Sequence, residues 1–236
     1  MKKYLVKLSF LALLLSQGAF AGALRLSPIN IAIDDDQRAT TLTIFNQSSE
    51  AENIQIRAFA WTQDNQGNDQ LSATNDVVVS PSVIAIAPNG SFNVRIVRQT
   101  SGKVSNEQAY RIVVDELPKP NDSRKNSGNI NILLRTLLPL FVGNDELLQT
   151  QDLKVVNHSG ECQLQVHNSG QRHLLLSQVS VTDSSTQHHY PVTTNPVNGY
   201  LLPSITKYYK ITGLTHCDDN NKLQINATIN GKSFIY

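Results

Sequence analysis

The decisive stretch of the sequence is residues 129–141, which reads Asn-Ile-Asn-Ile-Leu-Leu-Arg-Thr-Leu-Leu-Pro-Leu-Phe. Its apolar residues recur with a period of two, which predicts a long β-strand. The apolar side chains of one parity would line one face of that strand: Ile130, Ile132, Leu134, Leu138 and Leu140. The preceding residues 119–128 are polar and contain proline, asparagine, serine and glycine, which predicts a loop that leads into the strand.

Two interpretations of this strand follow from its lone cation, Arg135. An apolar strand that follows a polar loop can serve as a free edge that pairs with another protein. Alternatively, the strand lies in a core and the guanidinium of Arg135 reaches the surface along its aliphatic stem. The stretch by itself leaves both interpretations open.

The first residues predict a secretory signal peptide. Three lysines within the first seven residues precede an apolar run over residues 8–15, and Ala19 and Ala21 form a small-x-small cleavage site. Cleavage after Ala21 would leave a mature chain that begins at Gly22. Because the apolar run is short for a bilayer span, we expect an exported protein rather than one held by an uncleaved anchor.

Charge and cysteine content narrow the class of protein. The formal net charge of +1 gives no support for nucleic-acid binding, so we expect no nucleic-acid partner. The chain has two cysteines, Cys162 and Cys217, and an even pair in an exported protein predicts one disulfide. Two free thiols are the alternative, and neither cysteine lies in a redox or zinc-binding motif.

Short runs rich in valine, isoleucine and leucine alternate with clusters of asparagine, glycine and serine, and no convincing amphipathic helix is evident. This pattern predicts an all-β protein built from β-sandwiches. About seven strands fall in residues 22–142, which we expect to form one immunoglobulin-like domain. The first strand is predicted over residues 24–33, whereas residues 63–75 are predicted to be a loop. Residues 143–152 are predicted to be a linker, and weaker signals over 153–236 predict a second, smaller β domain.

No motif for catalysis, cofactor binding or metal binding stands out. His188 and His189 form the one close pair of histidines, and neighbours in a strand point to opposite faces, so they would not easily share one metal. Asp34, Asp35 and Asp36 lack the spaced oxygens of a calcium loop. The serines have no nucleophile-elbow setting, and no glycine-rich loop is suited to a phosphate. We therefore expect no enzyme activity, no metal and no cofactor.

Arg111 lies in a second apolar run, residues 110–118, which precedes the decisive stretch. If the two strands pair, Arg111 and Arg135 lie on neighbouring strands. Two guanidinium groups near each other repel unless an anion lies between them, and two such forks suit a carboxylate. The alternative is that each arginine meets a surface acid of this chain, such as Asp115 or Glu116.

Several motifs carry a family resemblance over essentially the whole mature chain. The most specific are Tyr-Arg-Ile-Val-Val-Asp-Glu-Leu-Pro over residues 110–118 and Arg-Thr-Leu-Leu-Pro-Leu-Phe over residues 135–141. Ile-Gln-Ile-Arg over 54–57 leads to Trp61 in the first half, and Gly-Tyr-Leu-Leu-Pro occupies 199–203 in the second. Together they resemble the periplasmic chaperones of chaperone–usher pilus assembly, and the Asp-Glu-Leu-Pro ending resembles the archaic, or alternative, branch.

The resemblance implies a fold and a mechanism. Members of the family have two immunoglobulin-like domains set in a boomerang with a cleft between them. They fold and cap pilus subunits by donor-strand complementation, in which a strand of the chaperone fills the place of the subunit's missing strand. Carried onto this sequence, the donor strand is residues 129–140, and the inserted side chains are Ile130, Ile132 and Leu134.

The resemblance also implies an anchor for the C-terminal carboxylate of the subunit. In the family's best-known branch the anchor is an arginine on the first strand and a lysine near the end of the donor strand, but the matching positions here are Asn30 and Pro139. Members of the archaic type resemble this chain in having arginines on the last two strands, so the anchor role passes to Arg111 and Arg135. Because Arg135 has the opposite parity to the inserted residues, a bulge or strand twist is expected to aim it into the cleft.

Partners and location follow from the same resemblance. The expected partners are pilus or fimbrial subunits and an outer-membrane usher, and the expected location is the periplasm. Self-association of the client-free chain, where the client is the bound subunit, is left open. The alternative function is a structural or adhesive β-sandwich protein of the cell surface.

Overall fold

The structure is a computed structural model that describes residues 24–118, 132–217 and 222–236. The chain forms β-strands arranged in two β-sandwiches, which confirms the predicted all-β, immunoglobulin-like class. No helix in the described ranges is long and apolar enough to cross a membrane. The predicted signal peptide and Ile130 of the predicted donor strand lie outside these ranges.

The first sandwich is built from ten strands of the described residues. In chain order they are β1 (Leu24–Ser27), β2 (Ile31–Ile33), β3 (Ala39–Asn46), β4 (Glu52–Gln63), β5 (Asp69–Ala73), β6 (Val77–Ser80), β7 (Val83–Ile86), β8 (Ser91–Arg98), β9 (Gln108–Glu116) and β10 (Arg135–Val142). One sheet has the order β1-β3-β8-β6, and the other has the order β2-β10-β9-β4-β5, with β7 also paired to β4. The apolar side chains of alternate residues meet between the sheets and form the core.

The prediction of one strand over residues 24–33 is wrong, because the chain changes sheets within this segment. Strand β1 pairs with β3 in one sheet, whereas β2 runs parallel to β10 in the other. Pro28 lies between the two strands, and its ring nitrogen has no hydrogen to donate to a β ladder. The apolar side chains change parity at this proline, from Leu24 and Leu26 to Ile31 and Ile33, which agrees with the change of sheet.

The predicted loop over residues 63–75 contains strand β5, which pairs with β4 as a hairpin. The carboxylate of Asp64 accepts hydrogen bonds from the backbone amides of Gln66 and Asn68 and thereby forms the turn. Gly67 in this turn has a φ of 75°, which glycine adopts without a steric penalty. Every residue of β5 is exposed, so this edge strand lacks the apolar alternation that identifies strands in a sequence.

The last residues of β10 lie inside the second sheet. Residues 140–142 pair with β2 on one side, and the whole strand pairs with β9 on the other. Leu138, Leu140 and Val142 are buried in the core, whereas Pro139 and Phe141 point to the opposite face of the sheet. The parity predicted for Leu138 and Leu140 is therefore the parity of the core.

The strand begins later than the sequence predicts. Residues 132–134 are not part of β10, and residues 129–131 lie outside the described ranges. The partner strand β9 ends at Glu116, and Pro118 has no amide hydrogen with which to extend the ladder. Residues 132 and 133 therefore have no strand to pair with among the described residues.

The second sandwich is built from the remaining strands of the described residues. They are β11 (Gln151–His158), β12 (Glu161–Asn168), β13 (Leu174–Asp183), β14 (His188–Pro191), β15 (Tyr200–Leu201), β16 (Thr206–Lys210), β17 (Leu223–Ile229) and β18 (Lys232–Ile235). One sheet has the order β11-β12-β16 and the other β14-β13-β17-β18, with β15 also paired to β13. Strand β11 begins within the predicted linker, and β18 is absent from the strands that the sequence predicts, because it offers only four residues with no buried side chain.

The predicted disulfide is present in the second sandwich. Cys162 and Cys217 are joined with a Cα–Cα distance of 5.7 Å, and both belong to the buried core of this domain. Cys162 stands in β12, and Cys217 follows β16. The bond therefore ties a core strand to the segment that leads towards β17.

Candidate functional site

The first candidate feature is an exposed apolar segment at the start of β10. Ile132 is 76% exposed and Leu134 is 47% exposed, and Leu133 and Leu137 on the opposite parity are also exposed. Ile132 and Leu134 have the parity of the core residue Leu138 but lie beyond the end of the sandwich core. Four neighbouring large apolar side chains in water form an unusual surface, because soluble proteins rarely expose contiguous apolar patches without a role.

The backbone beside this segment has a free edge. Strand β9 covers one edge of β10 along its whole length, but β2 covers the other edge only at residues 140–142. In the described ranges no strand pairs with that second edge over residues 135–139. An unpaired edge next to exposed apolar side chains is a template on which a further strand can be added.

The second candidate feature is Arg111, which lies on the face of the sheet opposite the core. Its side chain is 1% exposed, and its guanidinium stacks 3.6 Å from the centroid of the Trp61 ring. Nη2 donates hydrogen bonds to Oδ2 of Asp69 at 3.0 Å and to Oδ1 of Asn198 at 2.8 Å. Nε and Nη1 have no hydrogen-bond partner among the described residues. Burial lowers the pKa of Arg111, and the carboxylate of Asp69 offsets part of this effect.

The partner Asn198 comes from the second sandwich. Asn195 builds the loop before β15, since its Oδ1 accepts hydrogen bonds from the amides of Val197 and Asn198. At Gly199 a Cβ atom would collide with the carbonyl oxygen of Asn195, so this position requires glycine for space. The Gly-Tyr-Leu-Leu-Pro motif of residues 199–203 thus positions Asn198 against an arginine of the first sandwich.

An aromatic cluster joins the two sandwiches around Arg111. Trp61, Phe141 and Tyr200 pack together with ring centroids 5.5–5.8 Å apart, and Tyr200 belongs to the second sandwich. Gln63 completes the joint by donating to the carbonyl of Tyr200 at 2.8 Å and accepting from the amide of Leu202 at 2.9 Å. Apolar contact and backbone hydrogen bonds therefore both fix the second sandwich beside Arg111.

A third contact orients Glu107 and His173 on the same joint. Oε2 of Glu107 accepts from the backbone amide of His173 at 2.8 Å and lies 2.6 Å from its Nδ1. The ring of His173 stacks on Phe141 with centroids 3.7 Å apart. The loop before β9 and the loop before β13 are thus held together by a carboxylate.

Arg135 has a different environment from Arg111. Its side chain is 62% exposed, and its Nε lies 2.5 Å from Oδ1 of Asp115 on β9. Nη2 of Arg57 lies 2.6 Å from the other oxygen, so Asp115 stands between two arginines. Burial alone would raise the pKa of Asp115, but the hydrogen bonds from Arg135 and Arg57 hold it below its ordinary value of 3.8.

The two arginines lie on the same face of paired strands, but they are not neighbours. Arg111 stands opposite Pro139, and Arg135 stands opposite Asp115, so four residues of each strand separate the two pairs. That separation corresponds to roughly 13 Å along the strand. The ladder between β9 and β10 is continuous, so the bulge expected to aim Arg135 to this face is not needed. Each arginine meets an acid of this chain, which is the alternative that the sequence left open.

Sequence reasoning did not single out the partners of Arg111 as site residues. Trp61 and Tyr200 stand in motifs that carry the family resemblance, but no role at an arginine follows from the motifs themselves. Asp69 and Asn198 lie in polar segments with no pattern, and only the tertiary fold brings them to Arg111. Within the described ranges no group of three histidine, cysteine or acidic residues could hold a metal ion.

Known proteins are similar to this chain in sequence. Residues 23–147 match the family described as pili and flagellar-assembly chaperone, PapD N-terminal domain. A probable fimbrial chaperone LpfB of Escherichia coli O157:H7 is 30% identical over 142 residues, which is 60% of this chain. A chaperone protein LpfB of Salmonella typhimurium is 27% identical over 129 residues. The matched segments span 58% and 53% of these relatives.

Solved structures are similar to this chain in fold over both sandwiches. The CsuC–CsuE chaperone–tip adhesion subunit complex of archaic Csu pili from Acinetobacter baumannii matches with a TM-score of 0.67 and 22% identity, covering 91% of this chain and 97% of the other. The SafA pilin–SafB chaperone complex of Salmonella enterica matches with a TM-score of 0.63 and 16% identity, covering 93% and 98%. Since the family model spans more than half of the chain, the protein belongs to the pili and flagellar-assembly chaperone family.

Proposed function

We propose that this protein is a periplasmic chaperone that folds and caps pilus subunits by donor-strand complementation and delivers them to an outer-membrane usher. The observation that carries the proposal is the exposed apolar start of β10 beside a free backbone edge. A subunit that lacks one strand of its own sandwich needs both a row of apolar side chains and a backbone edge. The family is one of chaperones and not of enzymes, which agrees with the absence of a catalytic motif.

The inserted side chains of the proposed donor strand are Ile130, Ile132 and Leu134. Ile132 and Leu134 already have the parity of a core face, so they continue the apolar row of this chain into the client. Burying a large aliphatic side chain contributes about 1.5–3 kcal/mol. The two described side chains, together with Ile130, could contribute several kcal/mol to capture before the cost of ordering the segment.

Two similar structures support the choice of client. One is a complex of a chaperone with a tip adhesion subunit, and the other is a complex of a pilin with its chaperone. For the present chain we propose the same class of client, a pilus or fimbrial subunit. The family assignment favours this function over a structural or adhesive protein of the cell surface.

The proposed anchor for the client's C-terminal carboxylate is Arg111 together with Arg135. Arg111 supports this role best, because a buried guanidinium with unpartnered Nε and Nη1 atoms is a strong donor for a carboxylate. Arg135 lies on the same face, nearer to the apolar segment, and could contact the client strand further along.

The proposal includes a cleaved signal peptide over residues 1–21 and a mature chain with domains 22–142 and 153–236.

The test is capture of a subunit by donor-strand variants. The chaperone is co-expressed with a pilus subunit from the same organism, and the complex is purified from the periplasm. Replacing Ile132 and Leu134 together by Asn should abolish recovery of the subunit while the chaperone stays folded, because both side chains are exposed in the free chain. A matched control is Leu148→Asn, which changes a leucine that is 65% exposed and lies outside β10. If the double variant recovers as much subunit as the wild type, the proposal is contradicted.

A further inference from the structure

The Arg111 site holds a carboxylate of its own chain, that of Asp69. Oδ2 of Asp69 accepts from Nη2 of Arg111 at 3.0 Å, and Oδ1 accepts from Gln63 at 2.9 Å. The Asp69 side chain is 37% exposed, whereas the Arg111 side chain is 1% exposed. Asp69 therefore stands between the buried guanidinium and the solvent.

The position of Asp69 in the fold allows its side chain to move. It is the first residue of β5, the edge strand whose residues are all exposed, and it sits just beyond the turn at Gly67. Its side chain is held by two hydrogen bonds from side chains, and because that side chain is 37% exposed, water can solvate the carboxylate once it leaves Arg111. Arg111, in contrast, is held by Trp61 below it and by Asn198 across the joint.

The guanidinium has more donors than its two partners use. Nη2 carries both hydrogen bonds, whereas Nε and Nη1 are buried and have no partner among the described residues. A planar guanidinium forms its best contact with a carboxylate through two parallel N–H groups. Asp69 reaches only one nitrogen, so an incoming carboxylate that meets two nitrogens would bind more strongly than the internal one.

The charge at the Arg111 site makes the carboxylate of Asp69 and an incoming carboxylate compete. Arg111 supplies one positive charge, and no second cation contacts its guanidinium within the described ranges. A second carboxylate beside Asp69 would face a like charge in a partly buried site, which is unfavourable. One of the two anions must therefore leave, and the exposed one can move into water.

We propose that Asp69 is an internal competitor for the anion site at Arg111, and that an external carboxylate binds there by displacing the Asp69 side chain. The proposal rests on the proposed function in that a client C-terminus would be the natural source of the carboxylate. Asp69 then sets the specificity of the site: it keeps the guanidinium paired in the free chain and admits only a carboxylate that binds better than itself.

The first experiment uses acetate as the probe and thermal unfolding as the readout. In Asp69→Ala the buried charge of Arg111 lacks its carboxylate, so acetate should raise the melting temperature by about 2–4 °C relative to chloride at equal ionic strength. Asp69→Asn, which keeps the size of the side chain, should show the same acetate-specific rise. Wild type and the control Asp36→Ala, which removes an exposed acid from another turn, should show little difference between the two salts.

Two further variants decide whether Arg111 is the acetate site. The rise should disappear in Asp69→Ala combined with Arg111→Gln. An equal rise in that double variant or in Asp36→Ala, or no rise in either Asp69 variant, overturns the proposal.

A fluorescent hexapeptide of alternating valine and threonine adds the second readout: a free C-terminus should improve binding over the amidated peptide about tenfold more in Asp69→Asn than in wild type. The same free-to-amidated ratio in both proteins would count against displacement.

The outcome is separable from that of the proposed function. Capture of a pilus subunit through Ile132 and Leu134 is measured without acetate and in chains in which Asp69 is unchanged. If the donor-strand variants lose capture but acetate has no effect on the Asp69 variants, the proposal that Asp69 competes with an external carboxylate is wrong and the proposed function is supported. If acetate acts as expected but the donor-strand variants retain capture, the anion site at Arg111 is supported and donor-strand complementation is contradicted.

Discussion

The segment of residues 132–142, which is β10 with the three residues before it, has two ends with similar sequences and opposite environments. Residues 138–142 are buried, and from residue 140 onward they are paired with β9 on one side and β2 on the other. Residues 132–137 are exposed, and those that pair do so with β9 alone. Both ends carry large apolar side chains at alternate positions, Ile132 and Leu134 in one and Leu138 and Leu140 in the other. The difference shows that an apolar period of two specifies a strand but not whether its partner belongs to the same chain.

The exposed end is held to the fold mainly by polar contacts. Arg135 pairs with Asp115, and the carbonyl of Leu134 accepts from the amide of Glu116 at 3.0 Å. The amide of Leu134 in turn donates to Oε2 of Glu116 at 3.2 Å. Contacts of this kind at the surface contribute little to stability, so the exposed end can exchange them for contacts with a client.

The largest expected effect is on stability and not on client capture, and it comes from removing the disulfide. Replacing Cys162 and Cys217 by Ser removes a cross-link between residues 55 positions apart, in the second sandwich and away from β10. The chain-entropy model gives about 4 kcal/mol for a loop of this size. Hydrogen exchange should show that loss in β12 and β17, while the folded variant still captures its client. Loss of capture under conditions where the variant is folded would show that β10 is not the sole determinant.

The second prediction compares the two ends of β10 directly. Leu140→Ala empties a fully buried core position and should lower the free energy of unfolding by about 2–5 kcal/mol. Leu134→Ala truncates an exposed side chain of the same size and should change it by no more than about 0.5 kcal/mol. Urea unfolding of the two variants measures both. Equal losses would mean that the exposed end is part of the stabilising core.

The fold was predictable wherever one face of a strand is buried by this chain. Strand β8 and the core parity of Leu138 and Leu140 follow from alternation, whereas β9, which is buried on both faces, follows from an apolar run that ends before Pro118. Strand β5 was missed because none of its residues is buried. The split between β1 and β2 was missed although the apolar parity changes at Pro28, because each half still alternates. Alternation in a sequence indicates which side chains of a strand are buried, but it does not indicate which sheet the strand joins.

The site was predictable only in part. The two arginines were identified by their residue type and by resemblance, but their pairing with Asp69 and Asp115 depends on strand register and on a hairpin that had not been predicted. Asn198 reaches Arg111 from 87 positions away in the sequence. Contacts of that separation carry no local pattern, so the structure is needed to find them.

A third prediction uses the difference between the two arginines. Arg111→Gln removes a buried guanidinium and should weaken the affinity for a client by about tenfold or more, since tenfold corresponds to about 1.4 kcal/mol. Arg135→Gln removes an exposed one and should have a smaller effect. Affinities for a subunit with a free and with an amidated C-terminus measure both. If neither variant loses affinity, the anchor proposal fails.

The smallest effect concerns how Asp115 holds the exposed end of β10. Its pKa in the folded chain is below the ordinary value of 3.8, because the hydrogen bonds from Arg135 and Arg57 outweigh the effect of burial. A carboxyl group with a lowered pKa stabilises the fold above its unfolded pKa, and this contribution is lost as the pH falls through the folded pKa. The Arg57 and Arg135 side chains are 41% and 62% exposed, so solvent screening limits the contribution to about 1 kcal/mol.

Asp115→Asn should therefore destabilise the protein by up to about 1 kcal/mol near neutral pH, and the difference from wild type should shrink as the pH falls below about 4. Urea unfolding across that range provides the measurement, and Asp36→Asn, in an exposed turn, is the matched control. Because the carboxylate ties Arg135 to β9, the amides of residues 134–136 should also exchange faster in the variant. A destabilisation that persists unchanged at low pH would mean that Asp115 acts by packing, and the exposed end would then be held by something other than charge.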